Sequence, residues 1–91
     1  MHYAYMVRCA DGTIYSGYST NPMRRENVHN SGKGAKYTRN RLPVKLIYAE
    51  VFDNKSDAMK REWALKQLNH KQKEELVIDE SNCILQIRNI L

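Results

Sequence analysis

The densest chemical information lies between Lys33 and Arg41, where Lys33, Lys36, Arg39 and Arg41 are interleaved with Gly34, Ala35, Tyr37 and Thr38. Small residues let a polyanion come close, while cations and hydroxyls bind phosphate oxygens without reading base sequence. Tyr37 offers a ring that stacks a base or anchors a helical turn in the core. A solvated basic loop is the other use of such a segment, and the net charge of +5 favours phosphate binding. Just upstream, Arg24 fits either a solvated face or a phosphate contact, whereas the spacing of Arg25 from Tyr15 marks it for chemistry. Glu62 is the remaining outlier. Stepping about 100° per residue places it between Ala58 and Met59, inside the apolar arc of its helix. A carboxylate there needs a reason, because an unpaired buried charge is costly. The alternative is an exposed Glu62–Lys66 pair, worth only about 0.2–0.5 kcal/mol.

These groups depend on a small set of elements. Tyr3, Tyr5, Val7 and Cys9 alternate with Ala4, Met6 and Arg8, which predicts a strand over Tyr3–Cys9. Asp11-Gly12 reverses the chain into a return strand, Thr13–Ser19, where Gly17 removes a side chain at a point of close approach. Tyrosines on two strands also fit plain β-propensity and half-buried packing. Asn21-Pro22 caps and opens a helix running to about Asn30, carrying Arg24, Arg25 and His29, and Ser31-Gly32 ends it. Val44–Phe52 is the third strand, with Leu46, Tyr48 and Glu50 alternating against Ile47, Ala49 and Val51. Asn54 and Asp57 cap a second long helix whose apolar residues are Ala58, Met59, Trp63, Leu65 and Leu68. The stripe is imperfect, because Arg61 and Asn69 also fall within it. Asn69 starts a short, mostly solvated helix ending near Val77. The fold class is therefore α/β of the α+β kind, a small three-stranded antiparallel sheet flanked by helices.

At 91 residues the chain has room for one core. Residues 1–78 read as the domain proper and 79–91 as a helical tail packed on it. In the tail Cys83, Ile84, Ile87, Ile90 and Leu91 recur with helical spacing, and a small dimer contact is the other use of that stripe. Lysine and arginine outnumber aspartate and glutamate by 15 to 10, which suits a polyanionic partner. The acids cluster between Glu50 and Glu80, so the basic character belongs to a face of the first half. Cys9 and Cys83 lack CxxC spacing and read as reduced thiols. Met1-His2-Tyr3 runs straight into a strand with no signal segment, and no apolar run reaches membrane length. A cytoplasmic protein is expected.

The ordered set of features resembles the GIY-YIG nuclease superfamily. Tyr3-Ala4-Tyr5 stands where that family has its first motif, Tyr15-Ser16-Gly17 where it has its second, and Arg25 at its essential arginine. The resemblance continues through His29-Asn30-Ser31-Gly32 to Arg39 and through Lys60-Arg61-Glu62-Trp63, covering about Tyr3 to Leu76. It is similar to small stand-alone members and to the branched-DNA nucleases. The resemblance implies an Mg²⁺-dependent endonuclease, with Mn²⁺ as the alternative ion, cutting DNA of particular structure in repair or recombination. RNA is the alternative substrate, and a partner protein the alternative source of specificity.

The resemblance also implies roles. Glu62 would ligate the metal, and Arg25 would donate to the equatorial oxygens of the transition state. Tyr15 would take the proton of the attacking water, Tyr5 would position water or phosphate, and His29 would assist or orient Tyr15. Which of Tyr5, Tyr15 and His29 is the base stays open. Tyr18 departs from members with a lysine after the second motif, which removes one phosphate contact. Ala4 replaces a branched residue, which concerns packing. The rival readings are a non-catalytic nucleic-acid-binding module and a small interaction protein docking through its tail, a monomer or weak dimer. Retention of Tyr5, Tyr15, Arg25, His29 and Glu62 together weighs against the first, and the basic loop has no role in the second.

Overall fold

The computed structural model describes residues 1–79, 82–85 and 87. Strand β1 spans His2–Arg8, β2 Ile14–Ser19 and β3 Lys45–Phe52, with helices α1 (Pro22–Asn30), α2 (Lys36–Arg39), α3 (Lys55–Lys66) and α4 (His70–Val77). The three strands form one antiparallel sheet in the order β2-β1-β3. Against the expected Tyr3–Cys9 and Thr13–Ser19, β1 starts and ends one residue earlier and β2 starts one later, because Cys9 N donates to Thr13 O at 2.8 Å, which places both residues in the turn. Gly12 supplies the left-handed conformation there, at φ +86°, a region that side chains disfavour.

Alternation along β1 divides the interior into two apolar clusters. Tyr5 and Val7 pack with Cys9, Val44, Leu46, Ala49 and Ile87 on one face. Ala4 and Met6 pack with Ile14, Tyr48 and Leu65 on the other. In β3 the expected alternation fails. Met6 pairs with Tyr48 but Val7 with Leu46, so the register shifts at that point and Ile47 is the extra residue of a bulge. Leu46 therefore shares a face with Ala49 and not with Tyr48.

Helix α1 has almost no apolar face, and only Pro22 and His29 are buried on it. Polar clamps hold it. Asn30 accepts from Val44 N at 2.7 Å and donates to Val44 O at 2.9 Å, and Glu26 accepts from Leu46 N at 2.5 Å. These bonds satisfy the free edge of β3, which would otherwise be an open template for pairing. They also fix the rotation of α1, so that the neighbouring stripe, Arg25 and His29, turns toward β1.

Helix α3 begins as expected, with Asn54 accepting from Asp57 N at 2.8 Å. Its buried stripe is a correction to the sequence reading. Ala58 and Leu65 are buried with Arg61 and Glu62 half-buried between them, whereas Met59 and Trp63 are 40% and 66% exposed. The sheet-facing side tolerates Arg61 because it donates to Glu50 at 2.8 Å. Helix α4 is tied to β1 by a forked Arg8–Glu74 pair at 2.7 and 2.6 Å. Both partners are more than a third exposed, so the pair contributes at most about 1 kcal/mol.

Beyond α4, Cys83 N donates to Ala49 O at 2.6 Å, and Cys83, Ile84 and Ile87 lie against the first cluster. Ile90 and Leu91 lie outside the described residues. Both cysteines are free thiols. Among the described residues no helix is long and apolar enough to cross a membrane.

Asn82 is the polar hinge of this segment. It accepts from Ala49 N and Ile84 N, each at 3.1 Å, and donates to Ile47 O and Val77 O at 3.0 and 2.9 Å. Asn82→Ala should lower unfolding free energy by about 1–3 kcal/mol, since it strands several partly buried backbone groups. Urea unfolding checks this, and an unchanged midpoint would show that the tail adds nothing to the sheet edge.

Candidate active site

The site is built on the first face of β1. Tyr5 sits opposite Gly17 in β2, and its ring lies directly on that glycine. A β-carbon at position 17 would meet the Tyr5 hydroxyl at 2.5 Å, so the motif glycine is needed for this close approach. The Tyr5 hydroxyl reaches His29 Nε2 at 2.8 Å. His29 Nδ1 in turn lies 3.0 Å from Thr38 Oγ1, and Thr38 donates to Ala35 O at 2.9 Å. Tyr5, His29 and Thr38 are 1%, 0% and 0% exposed. Gly34 closes the column, because a side chain there would run into His29 Nδ1 and its Cα.

Burial is the leading cause of the electrostatics. It pushes the Tyr5 phenol up to about 12, with Arg25 pulling the other way and the charges of Tyr15 and Glu62 adding to the rise. Burial, reinforced by Arg25, also holds the His29 imidazole below its ordinary value. Both groups are therefore neutral near pH 7.

Around this column the structure brings the other sequence-predicted residues together. Tyr15 meets His29 edge-on, with ring centroids 5.6 Å apart, and stacks on Tyr37 at 5.8 Å. The Lys66 ammonium stands 5.8 Å from the Tyr15 ring centre and 3.9 Å from Glu62. Glu62 is only 17% exposed in its side chain, which removes the purely exposed pair as an account of it. Arg25 is half-buried, and its Nε is buried without a hydrogen-bond partner. It borders a pocket of about 260 Å³ lined by Ser19, Thr20, Asn21, Arg24, Arg25 and Val28. Tyr5, Tyr15, Arg25, His29 and Glu62 thus share one neighbourhood at the outer strand β2, where α1 and α3 both approach.

The basic segment divides in two. Lys33, Lys36 and Arg39 are exposed, and Arg39 donates from Nε to Gly34 O at 3.3 Å. Arg41 is committed within the protein, to Asp11 at 3.0 Å and to Tyr37 O at 2.7 Å, with its guanidinium 4.0 Å from the Tyr37 ring centre. Two expectations are corrected. Thr38 is not a phosphate contact, because its hydroxyl is buried and engaged by His29 and Ala35. Tyr37 is not a free stacking platform, because Tyr15 and Arg41 occupy its ring. Sequence reasoning placed Lys66 beside Glu62 but missed its approach to Tyr15, and it missed Gly34 as the residue that admits His29. The small residues around Thr38 were the available signal, and they make room for His29.

Among the described residues no three His, Cys, Asp or Glu side chains gather into a ligand cage. Glu62 is the carboxylate whose charge, with that of Arg25, acts on Tyr5. That donor set fits a hard divalent ion that keeps its waters and is completed by substrate phosphate. It does not fit a closed structural zinc site.

Residues 1–75, spanning both tyrosine motifs, Arg25, His29 and Glu62, match the profile of the GIY-YIG catalytic domain. The chain belongs to the GIY-YIG family. Among its relatives is a UPF0213 protein of Halobacterium salinarum, 55% identical over 76 residues, which are 84% of this chain and 99% of the relative. A UPF0213 protein of Streptococcus pneumoniae is 52% identical over 98% of this chain and 85% of its own. The solution NMR structure of a UPF0213 protein from Bacillus halodurans superposes with a TM-score of 0.56 at 45% identity, covering 88% of this chain and 85% of that one. A solution NMR structure from E. faecalis gives a TM-score of 0.54 at 43% identity over 99% and 88%. GIY-YIG domains are in general endonuclease domains, and the two solution structures share the α+β fold of this chain.

The neutral His29 has a consequence for stability. An unfolded imidazole titrates near about pH 6.5, and the folded value lies lower. Between the two the unfolded chain binds a proton that the folded chain refuses. Stability is therefore full above about pH 6.5 and declines as pH falls toward the folded value. Urea unfolding between about pH 5 and 7 should show this slope, and His29→Gln should flatten it. An equal slope in that variant would remove His29 as its source.

Proposed function

We propose that this protein is a metal-dependent endonuclease that hydrolyses phosphodiester bonds in DNA selected by structure. The observation that carries the reading is Arg25. A half-buried guanidinium that borders an open pocket, hydrogen-bonds Tyr5 and shares the surroundings of that phenol with Tyr15 and the Glu62 carboxylate, is suited to donate to an anion. Glu62 would hold Mg²⁺, with Mn²⁺ as the alternative ion, and the ion supplies charge neutralisation to the phosphate and leaving oxygen.

The chain's own residues do the remaining work. Arg25 donates to the equatorial oxygens as charge develops there. Arg24, exposed on the rim of the same pocket, holds a flanking phosphate. Tyr5 stays protonated and fixes the position of Arg25 and of water. Tyr15, less buried and adjacent to His29, takes the water's proton. Lys33, Lys36 and Arg39 bind the backbone beyond the reacting phosphate. None of these contacts reads bases, so selection rests on DNA shape or on a partner protein.

Glu62→Gln keeps the shape of the side chain but removes the charge that holds the ion. Arg25→Ala removes a donor needed more in the transition state than in the ground state. Each should cut cleavage by about 10²–10³ while leaving DNA binding nearly intact. Gel assays on flapped, branched and linear DNA, with filter binding alongside, measure both. Cleavage that persists in EDTA, or in Glu62→Gln, would refute the metal role. Binding without cleavage on every DNA and RNA would leave the non-catalytic module as the better reading.

Binding should also weaken steeply with salt through counterion release. Replacing Lys36 and Arg39 together with Ala should reduce the salt slope by about one unit per lost contact. An unchanged slope would mean that this segment does not touch phosphate.

A further inference from the structure

We propose that Thr38 is a positioning residue that sets the tautomer of His29 and thereby makes Tyr5 a hydrogen-bond donor, leaving Tyr15 as the proton acceptor. The argument starts from Ala35 O, a carbonyl that can only accept. Thr38 Oγ1 lies 2.9 Å from it, so the single hydroxyl proton points there; the reverse would set two acceptors against each other. Thr38 Oγ1 must then accept from His29 Nδ1, 3.0 Å away. His29 therefore carries its proton on Nδ1, and its bare Nε2 accepts from the Tyr5 hydroxyl at 2.8 Å. One proton arrangement satisfies all three contacts.

The neutral states fit this direction. Burial raises Tyr5 and lowers His29, so a phenolate–imidazolium pair with the opposite polarity is disfavoured. The Tyr5 oxygen keeps its lone pairs for Arg25, which has only donors to offer. The lone pair of His29 is taken up by Tyr5, so neither member of the column is free to accept a proton from water. Tyr15 touches His29 only edge-on and stays outside the chain of bonds. Gly34 completes the device, because any side chain there would displace His29 from Thr38.

The assignment of Tyr15 rests on the nuclease reading; the tautomer does not. Nitrogen-15 NMR of the His29 ring in the full chain should show Nδ1 protonated and Nε2 bare near pH 7. Thr38→Val removes the acceptor and should move the ring toward the Nε2-protonated form, while Thr38→Ser should retain the wild-type spectrum. In cleavage assays Thr38→Val should lower kcat by about 10–100-fold, the scale on which partners of a functional histidine act. KM for DNA should be unchanged, and Thr38→Ser should restore the rate. A wild-type spectrum with Nε2 protonated overturns the proposal, even if Thr38→Val fails to fold. Cleavage by a folded Thr38→Val at the wild-type rate overturns it as well. If the wild type cuts no substrate, the nuclease reading falls, and the nitrogen spectrum still decides the role of Thr38.

Discussion

Everything in the site hangs on a buried bond between two neutral polar groups, the Tyr5 hydroxyl and His29 Nε2. Both side chains sit where a polar atom without a partner would cost about 1–3 kcal/mol, and each is the other's partner. The bond crosses from the central strand of the sheet to α1, so it couples a fully buried tyrosine of β1 to a helix lacking an apolar face. Gly17 exists beneath it so that the ring can lie flat, and Gly34 beside it so that the imidazole can enter. Two glycines in separate motifs thus serve one contact.

The way α1 is held follows from the same constraint. A helix with a hydrophobic stripe finds its rotation by burying that stripe, and α1 has too little apolar surface to do so. Its rotation comes from directional bonds instead. Glu26 and Asn30, one turn apart, take the exposed edge of β3, and Arg25 and His29 fall on the adjoining stripe. Directional bonds specify orientation more sharply than apolar contact does. Under the proposed function, that sharpness would serve to aim the Arg25 guanidinium.

What the sequence made legible was mostly local chemistry. Asn21-Pro22, Asn54 with Asp57, Asn69, Gly12 and Gly32 all mark termini or turns whose partners lie within a few residues, and each is where expected. Matters that depend on distant partners were not legible. The Leu46-Ile47-Tyr48-Ala49 run is apolar throughout, so no change of period announces the bulge at Ile47. Thr38 reads as a phosphate-binding hydroxyl beside lysines until His29, nine positions earlier, is seen to claim it. Met59 and Trp63 read as core because they are apolar, yet the sheet is already covered by Ala58, Leu65 and the stems of Arg61 and Glu62. Convergence of Tyr5, Tyr15, Arg25, His29 and Glu62 was expected only through the family resemblance, since no spacing rule links α3 to β1.

The location of the site at an outer strand matters for the substrate that the proposed function requires. A phosphodiester inside a long polymer cannot enter a closed cavity, so the reacting groups must lie where two sides of the protein meet the solvent. Strand β2 provides this, with α1 approaching from one face and α3 from the other. Exposed cations stand around it: Arg24, Lys33, Lys36 and Arg39 on and after α1, and Lys55 and Lys66 on α3 beside the Tyr18 and Tyr15 rings of β2. Under the proposed function their field would draw a polyanion toward β2, with a strength that salt screens. The buried column behind that edge contributes no charge of its own. It holds Tyr5 neutral, so under the proposed function the developing negative charge of a pentavalent phosphate would meet Arg25 without competition from a nearby phenolate. Electrostatic attraction at the rim and enforced neutrality in the interior are therefore parts of one arrangement, in which the substrate brings nearly all the negative charge that the site must accommodate.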